Sequence, residues 1–270
     1  MSGQEPPIPS VWARPRRGRA QPGLSRDQIV SAAVELLDAE GVEALSMRRL
    51  GTALGAGAAS LYRHVAGKDE LIELVVDRFY GELAVPDPAD GAHWRDAITA
   101  CARDLRAAAL RHPWVVAVHG QAGLSQLGPN LARFSEGVLA VFEAAGFDLE
   151  EADRAMSVVL PFVIGMVSSE AAWLSVVRRG GMDEKAAADR LWAVTQEAMR
   201  DHPRLLAVYA GQRGTDSGRV VDAYFDYGLD RLLDGLAARL PADPAQSTGP
   251  AEPAEPAERA EPARPGGCAD

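Results

Sequence analysis

The stretch that decides the fold runs from residue 44 to residue 68 and reads ALSMRRLGTALGAGAASLYRHVAGK. Two short helical segments are separated here by Gly55 and Gly57, which interrupt the apolar spacing. Two short helices joined by a glycine-containing turn predict a helix-turn-helix, whose second helix typically enters the major groove of DNA. DNA is therefore the first candidate partner.

Capping residues define the helices around this unit. Ser25 and Gln28 form a capping box at the start of the first helix, and Gly41 is expected to end that helix in a left-handed conformation. Ser46 caps the second helix. Apolar spacing predicts the buried faces of the first two helices, which consist of Ile29, Ala32, Ala33, Leu36, Leu37, Leu50, Ala53 and Leu54.

A short third helix and a longer fourth helix complete the unit. The third spans about residues 58–64 and buries Leu61 and Val65. The fourth begins at Lys68, directly after Gly67. Its apolar residues include Leu71, Leu74, Val75 and Phe79.

The residues around the third helix have the chemistry of a DNA contact. Small residues at its start let the backbone approach base edges, and alanine can contact a thymine methyl group. Arg48 is the better candidate for a base contact, whereas Arg63 suits either a bidentate contact to guanine or a backbone contact. The residues expected at DNA are Ser46, Arg48, Ala58, Ala59, Ser60, Tyr62, Arg63, His64 and Lys68.

Two alternatives to DNA binding stay open. The charged residues are also compatible with a solvated face on an ordinary three-helix domain, because motifs of this length occur by chance. A helical protein-interaction module without DNA binding is the competing function. Replacing Arg48 and Tyr62 by alanine distinguishes these possibilities. If the chain binds DNA through this surface, the replacement reduces duplex binding while dimerisation persists.

Residues 25–80 resemble the DNA-binding domain of the tetracycline repressor (TetR) family. The resemblance rests on Ile29-Val30-x-Ala32-Ala33-x-x-Leu36-Leu37-x-x-x-Gly41, on Leu45-Ser46-Met47-Arg48-Arg49-Leu50 and on Leu61-Tyr62-Arg63-His64-Val65-x-x-Lys68. It implies that Arg48 reaches a base and that residues 58–60 face the groove. It also implies that Tyr62, His64 and Lys68 hold the DNA backbone. The groove-facing residues differ from those of tetracycline repressor itself, so the operator sequence does not carry over.

A second helical region follows, and no strand-like alternation occurs in the chain. Apolar spacing predicts helices over residues 94–110, 131–145, from Asp148 or Glu150 onward, 183–200 and 217–240, with a loop at 211–218. The helix after residue 150 is apolar on nearly every side, which predicts burial on more than one face, and Pro161 is expected to bend it. In the TetR family the corresponding helices pair across a twofold axis, which implies a homodimer on a palindromic operator.

The same resemblance implies an unidentified small-molecule effector. Residues 131–173 are similar to the C-terminal domain of the tetracycline-repressor subfamily, notably at Gly146-Phe147-x-Leu149-Glu150 and Phe162-x-x-Gly165. The candidate pocket residues are His112, Trp114, His119, Phe134, Phe162, Met166 and Trp173. Each is also explained by core packing alone. The family's metal-binding glutamate falls near Ser169, with Glu170 one step out of phase, so no metal or other cofactor is expected.

Composition favours a cytoplasmic regulator. The chain has 270 residues, a net charge of −10 and two cysteines, which indicates neither a disulfide framework nor a metal cluster. No secretory signal or membrane span is expected. The five histidines lack metal-ligand spacing and no catalytic motif occurs, so an enzyme is not predicted. The acidic charge weakens the DNA hypothesis only slightly, because residues 1–24 are locally basic.

The expected organisation is all-α, with two domains between two disordered ends. Residues 1–23 form a basic arm that either follows DNA or is merely solubilising, and residues 24–84 form the DNA-binding domain. Residues 85–240 form the effector-binding and dimerisation domain, and residues 241–270 form an Ala/Glu/Pro tail. The expected mechanism is a population shift, in which effector binding favours a dimer whose recognition helices no longer match DNA.

Overall fold

A computed structural model describes residues 24–88, 91–119 and 128–240, and within these ranges the chain consists of helices and connecting turns without any strand. The all-α prediction is therefore confirmed. The arm of residues 1–23 and the tail of residues 241–270 lie outside the described ranges. The helices are α1 (Arg26–Glu40), α2 (Met47–Ala53), α3 (Ala58–Leu61), α4 (Lys68–Tyr80), α5 (Trp94–Arg111), α6 (Trp114–His119), α7 (Pro129–Ala144), α8 (Leu149–Gly180), α9 (Glu184–Ala198), α10 (Pro203–Gln212) and α11 (Ser217–Ala237), with 3-10 turns at Val42–Ala44 and Gly91–His93.

The first two helices begin at the predicted caps. The Ser25 hydroxyl accepts a hydrogen bond from the Gln28 amide at 3.1 Å, and the Gln28 side chain accepts one from the Ser25 amide at 2.8 Å. The Ser46 hydroxyl accepts from the backbone amide of Arg49 at 3.2 Å. Gly41 follows α1 with φ 79° and ψ −179°, so it is extended at positive φ rather than left-handed helical as predicted. Either conformation favours glycine.

The turn between α2 and α3 depends on a glycine that the sequence pattern did not single out. A Cβ on Gly51 would lie 2.7 Å from the carbonyl oxygen of Ala56, so only glycine lets this turn close on α2. The prediction that Ala53 is buried is wrong, because Ala53 is exposed on the outer side of α2. The helix buries Leu50, as predicted, together with Met47 and Gly51.

Helix α3 is shorter than predicted. It ends at Leu61, and residues 62–64 form the turn that follows. Leu61 and Val65 are fully buried, as predicted, and they anchor this turn on the core.

Helix α4 lies between the N-terminal helices and the rest of the chain. It packs on α1 on one side and on α7 on the other. Buried Phe79 contacts Tyr80 edge to face at 5.4 Å, and Tyr80 contacts Phe134 of α7 at 5.6 Å between ring centroids. Burial raises the pKa of Tyr80 to about 12. One hydrophobic core therefore runs from α1 through α4 into the larger helical region.

The larger region is built on α8, which packs against α5, α7 and α11. An aromatic cluster of Trp94, Phe142 and Phe147 closes one end, with ring centroids between 5.5 and 5.9 Å apart. Helix α11 buries Phe225, Leu229 and Leu233.

Ion pairs set the antiparallel register of α11 on α5. Arg95 pairs with Asp234 at 2.7 Å, Arg103 with Asp226 at 2.9 Å and Arg106 with Asp222 at 2.7 Å. The hydrogen bond from Arg95 holds the pKa of Asp234 below its usual value. The pairs of Arg95 and Arg103 are exposed and contribute little stability individually, but together with the pair of the mostly buried Arg106 they favour one register.

Two helices were not predicted from the sequence. Helix α6 begins directly after Pro113, and α10 begins at Pro203, where proline suits the first helical position. The predicted loop at residues 211–218 is correspondingly shorter, since α10 continues to Gln212 and α11 begins at Ser217.

The expectation that α8 is buried on more than one side is only partly met. One side is buried, whereas Val158 is 45% exposed and Val176 is 49% exposed. The helix continues through Pro161 without a break. Among the described residues, α8 is the one helix long and apolar enough to cross a membrane, a criterion that core helices of soluble proteins also meet.

Candidate nucleic-acid interface

Helices α2 and α3, with the first turn of α4, form a surface that carries several cationic and hydroxyl side chains. Arg48, Arg63 and Lys68 are exposed there, and the Tyr62 side chain is 54% exposed. Ala59 is exposed, and Ala58, Ser60 and His64 are half-buried. The surface therefore offers donors, small side chains and one exposed ring side by side.

The two neighbouring arginines of α2 differ in their electrostatic state. Arg49 forms an ion pair with Glu40 at 2.6 Å, so its charge is locally balanced. Among the described residues, no ion-pair partner is found for the Arg48 guanidinium, and its backbone carbonyl accepts from Thr52. Arg48 is therefore the arginine of α2 that is available to an external anion or base.

Some predicted contact residues already have a partner within the chain. The Ser46 hydroxyl caps α2, and the Ser60 hydroxyl accepts from the Arg63 guanidinium at 3.0 Å. Both hydroxyl groups retain a proton that they can donate.

Two residues that the sequence analysis missed hold the turn after α3 in place. Arg26 of α1 donates to the carbonyl oxygen of His64 at 3.3 and 3.4 Å. The carboxylate of Glu70 accepts from the amide of Ala66 at 2.9 Å and lies 3.8 Å from Arg26. The contact from Arg26 to His64 joins residues 38 positions apart in sequence, which is why local patterns give no sign of it.

The candidate effector residues fall into two separate groups. The first lies between the N-terminal helices and the larger region. Here the ring nitrogens of His112 lie 2.7 Å from a carboxylate oxygen of Asp38 and 3.1 Å from one of Glu82, and the Trp114 indole donates to Asp38 at 2.7 Å. Phe134 is buried against Tyr80 in the same area.

The second group lies along α8. Phe162 and Met166 are half-buried, and the Phe162 ring lies 5.8 Å from that of Phe225. Trp173 is half-buried as well, and its buried indole N–H has no hydrogen-bond partner within the described residues. His119 ends α6, and its side chain lies outside the described part of the chain.

Glu170 is fully engaged within the chain. Its two carboxylate oxygens accept from the Arg106 guanidinium at 2.9 Å each, and Arg106 also pairs with Asp222 and lies over the Phe225 ring at 4.9 Å. Burial works to lower the pKa of Arg106, but Glu170 and Asp222 together raise it above its usual value. Within the described residues, no cluster of three metal-ligating side chains is found.

Known proteins share this arrangement over nearly the whole described length. Residues 29–75 match the family described as bacterial regulatory proteins, tetR family, and residues 86–240 match the tetracyclin repressor-like C-terminal domain. The chain is 42% identical to an HTH-type transcriptional regulator of Saccharopolyspora erythraea over 85% of its own length and 92% of that protein. It is 35% identical to the HTH-type transcriptional repressor DrrR1 of Streptomyces coeruleorubidus, with 83% and 80% covered.

A solved structure resembles the fold as well. ActR of Streptomyces coelicolor, in complex with actinorhodin, superposes with a TM-score of 0.66 at 31% identity, covering 80% of this chain and 98% of ActR.

An exposed helix-turn-helix followed by a larger helical domain defines a DNA-binding transcriptional regulator. The two family matches together span most of the described residues. The chain belongs to the TetR family of transcriptional regulators. Its relatives are regulators rather than enzymes.

Proposed function

We propose that this protein is a homodimeric repressor that binds a palindromic operator and is released from it by a small organic effector. Residues 24–84 read the DNA, and residues 85–240 dimerise and bind the effector. The observation that carries the proposal is the surface of α2 and α3, where Arg48, Tyr62, Arg63 and Lys68 are exposed together.

We assign the DNA contacts by exposure. Arg48 and the residues at the start of α3 face base edges, and Tyr62, His64 and Lys68 contact phosphates. Cytoplasmic location follows from access to DNA. In a dimer the two α3 helices lie about one DNA turn apart, roughly 34 Å, so that each enters a successive major groove.

The exposed apolar residues of α8 and α11 support dimerisation. Val158 and Val176 on α8, and Tyr224 and Tyr227 on α11, are each 45–63% exposed in the single chain. A second copy that covers these side chains removes their apolar surface from water, which is the dominant favourable term in association. It also explains the apolar length of α8 without a membrane.

The residues along α8 support an effector site. The buried indole N–H of Trp173 has no acceptor among the described residues, and an unmade hydrogen bond of this kind costs about 1–3 kcal/mol. A carbonyl or hydroxyl oxygen of the effector would satisfy it, beside the apolar side chains of Phe162 and Met166. A metal is not required, because Glu170 already binds Arg106. ActR, which has a similar fold, has been solved in complex with actinorhodin, and this supports a small-molecule site in the same helical region.

Selection of bound duplexes from a random DNA pool at two salt concentrations tests the proposal. We expect a palindrome whose half-sites are about one turn apart, and an affinity that falls steeply with salt because phosphate contacts release counterions. Absence of enrichment at both salt concentrations would contradict the proposal and favour a helical interaction module.

A further inference from the structure

Asp77 is the one charged side chain among the described residues that is buried, with 6% of its surface exposed. It lies in the third turn of α4, and its carboxylate accepts three hydrogen bonds from the start of α7. These come from the amide of Asn130 at 2.8 Å, the side-chain amide of Asn130 at 2.9 Å and the amide of Leu131 at 3.2 Å. A buried carboxylate with three donors is a well-satisfied anion at a helix N-terminus.

Helix α7 has no capping side chain of its own. Its N-cap residue is Gly128, followed by Pro129, whereas α1, α2, α8, α9 and α11 are each capped by a serine or aspartate that precedes them. Asp77 therefore supplies from α4 the cap that α7 lacks. Gly128 makes this possible, because a Cβ at position 128 would overlap the Asp77 carboxylate.

The orientation of α4 also determines that of the proposed DNA-binding surface. Lys68 begins α4 directly after the turn that follows α3, and Glu70 in its first turn holds that turn through Ala66. Arg78 of α4 donates to Ser31 of α1 at 3.2 Å, so α4 and α1 are joined by a polar contact as well as by their core. Any rotation of α4 relative to α7 therefore moves the DNA-binding surface.

We propose that Asp77 is a positioning residue that fixes α4 on α7 and thereby sets the spacing between the two DNA-binding surfaces of the dimer. This inference rests on the proposed dimeric recognition of an operator. The hydrogen bonds from α7 to Asp77 make the dimer selective for one half-site spacing, because any other spacing requires α4 to move relative to α7. When these hydrogen bonds are lost, α4 moves at a lower cost in free energy, and the dimer tolerates other spacings.

The decisive variant separates capping from positioning. Asp77→Gly removes both functions, whereas Asp77→Gly with Gly128→Asp gives α7 its own aspartate cap. Glycine is needed at position 77, because a Cβ at position 128 would lie only 2.7 Å from the Cβ of residue 77. The backbone at Gly128, with φ −119° and ψ 155°, is the extended conformation of an ordinary N-cap. The double variant therefore keeps a capped α7 without a tether to α4.

The measurement is the dissociation constant for an operator with one base pair inserted between its half-sites, divided by the dissociation constant for the selected operator. Thermal unfolding is followed in parallel. We expect the double variant to regain the part of the unfolding temperature that Asp77→Gly loses through the missing cap, and not the part that it loses through a glycine inside α4. Its ratio should fall at least about fivefold below that of the wild type, the lower end of measured couplings between sites. A general loss of folded protein would weaken both duplexes equally and leave the ratio unchanged.

Two results would overturn the inference, and they differ in what else they affect. A double variant with the wild-type ratio would show that Asp77 acts only as a cap, and the proposed function would stand. A wild-type protein that binds both duplexes equally would overturn the proposed dimeric recognition, and the positioning role with it.

Discussion

Arg48 offers the sharpest test of the proposed DNA-binding surface, because its neighbour Arg49 provides a matched control. Arg48 is exposed and no ion-pair partner for it occurs in the described residues, so Arg48→Ala removes no contact that holds the fold. A bidentate arginine–base contact contributes about 1–3 kcal/mol. The proposed dimer carries Arg48 twice, so Arg48→Ala removes at least about 2 kcal/mol and is expected to weaken operator binding by at least about 30-fold.

The control is the double variant Glu40→Gln/Arg49→Gln, which removes the ion pair between the end of α1 and α2 without changing the net charge. Both side chains of that pair are 45% exposed, and such pairs contribute at most about 1 kcal/mol to stability. We expect its operator affinity to stay within about twofold of the wild type, since the pair carries no net charge toward phosphate.

The assay is a fluorescence-anisotropy titration of the labelled operator, with circular-dichroism melting of each variant to confirm folding. The reasoning is refuted if Arg48→Ala binds the operator as tightly as the wild type. It is also refuted if the control variant loses as much affinity as Arg48→Ala.

Three further predictions follow from side chains in the larger region. Val158→Asp places a charge in the proposed dimer face and should yield monomers in light scattering. The control Leu191→Asp, on the exposed surface of α9, should leave dimers. A Val158→Asp variant that is still dimeric would show that α8 is not part of the interface. His112→Ala removes the contacts to Asp38 and Glu82 and should lower the free energy of unfolding, measured in urea, by about 1–3 kcal/mol. The control His202→Ala changes an exposed side chain and should leave that free energy unchanged. Equal stability of the two variants would contradict the structural role of His112. Burial, reinforced by the charge of Asp104, raises the pKa of the Cys101 thiol to about 12. In a Cys268→Ser variant, which leaves Cys101 as the one cysteine, a disulfide reagent at pH 8 should therefore modify Cys101 only after unfolding. Rapid reaction of the native protein would contradict the burial of Cys101.

Local chemistry made much of the N-terminal unit predictable. Ser25, Gln28 and Ser46 act on amides only three residues away, and the apolar spacing of α1 and α4 leads directly to their buried faces. The predicted burial of Ala53 is wrong because Gly51, and not Ala53, faces the core from α2. Helix α6 escaped prediction because six residues contain too little periodicity.

Long-range contacts made the rest unpredictable. The cap of α7 lies 53 residues away in Asp77, and the clamp on the turn after α3 lies 38 residues away in Arg26. The exposed side of α8 is also invisible in sequence, because an apolar helix looks alike whether its own chain or a second copy covers it.

The central claim is that two copies of this chain bind one operator through paired helix-turn-helix units. The most direct test is the mass of the complex in sedimentation equilibrium, with the selected palindrome and with a duplex that carries a single half-site. We predict two protein chains on the palindrome, together with a much weaker complex on the half-site duplex. One chain bound with equal affinity to both duplexes would contradict the account.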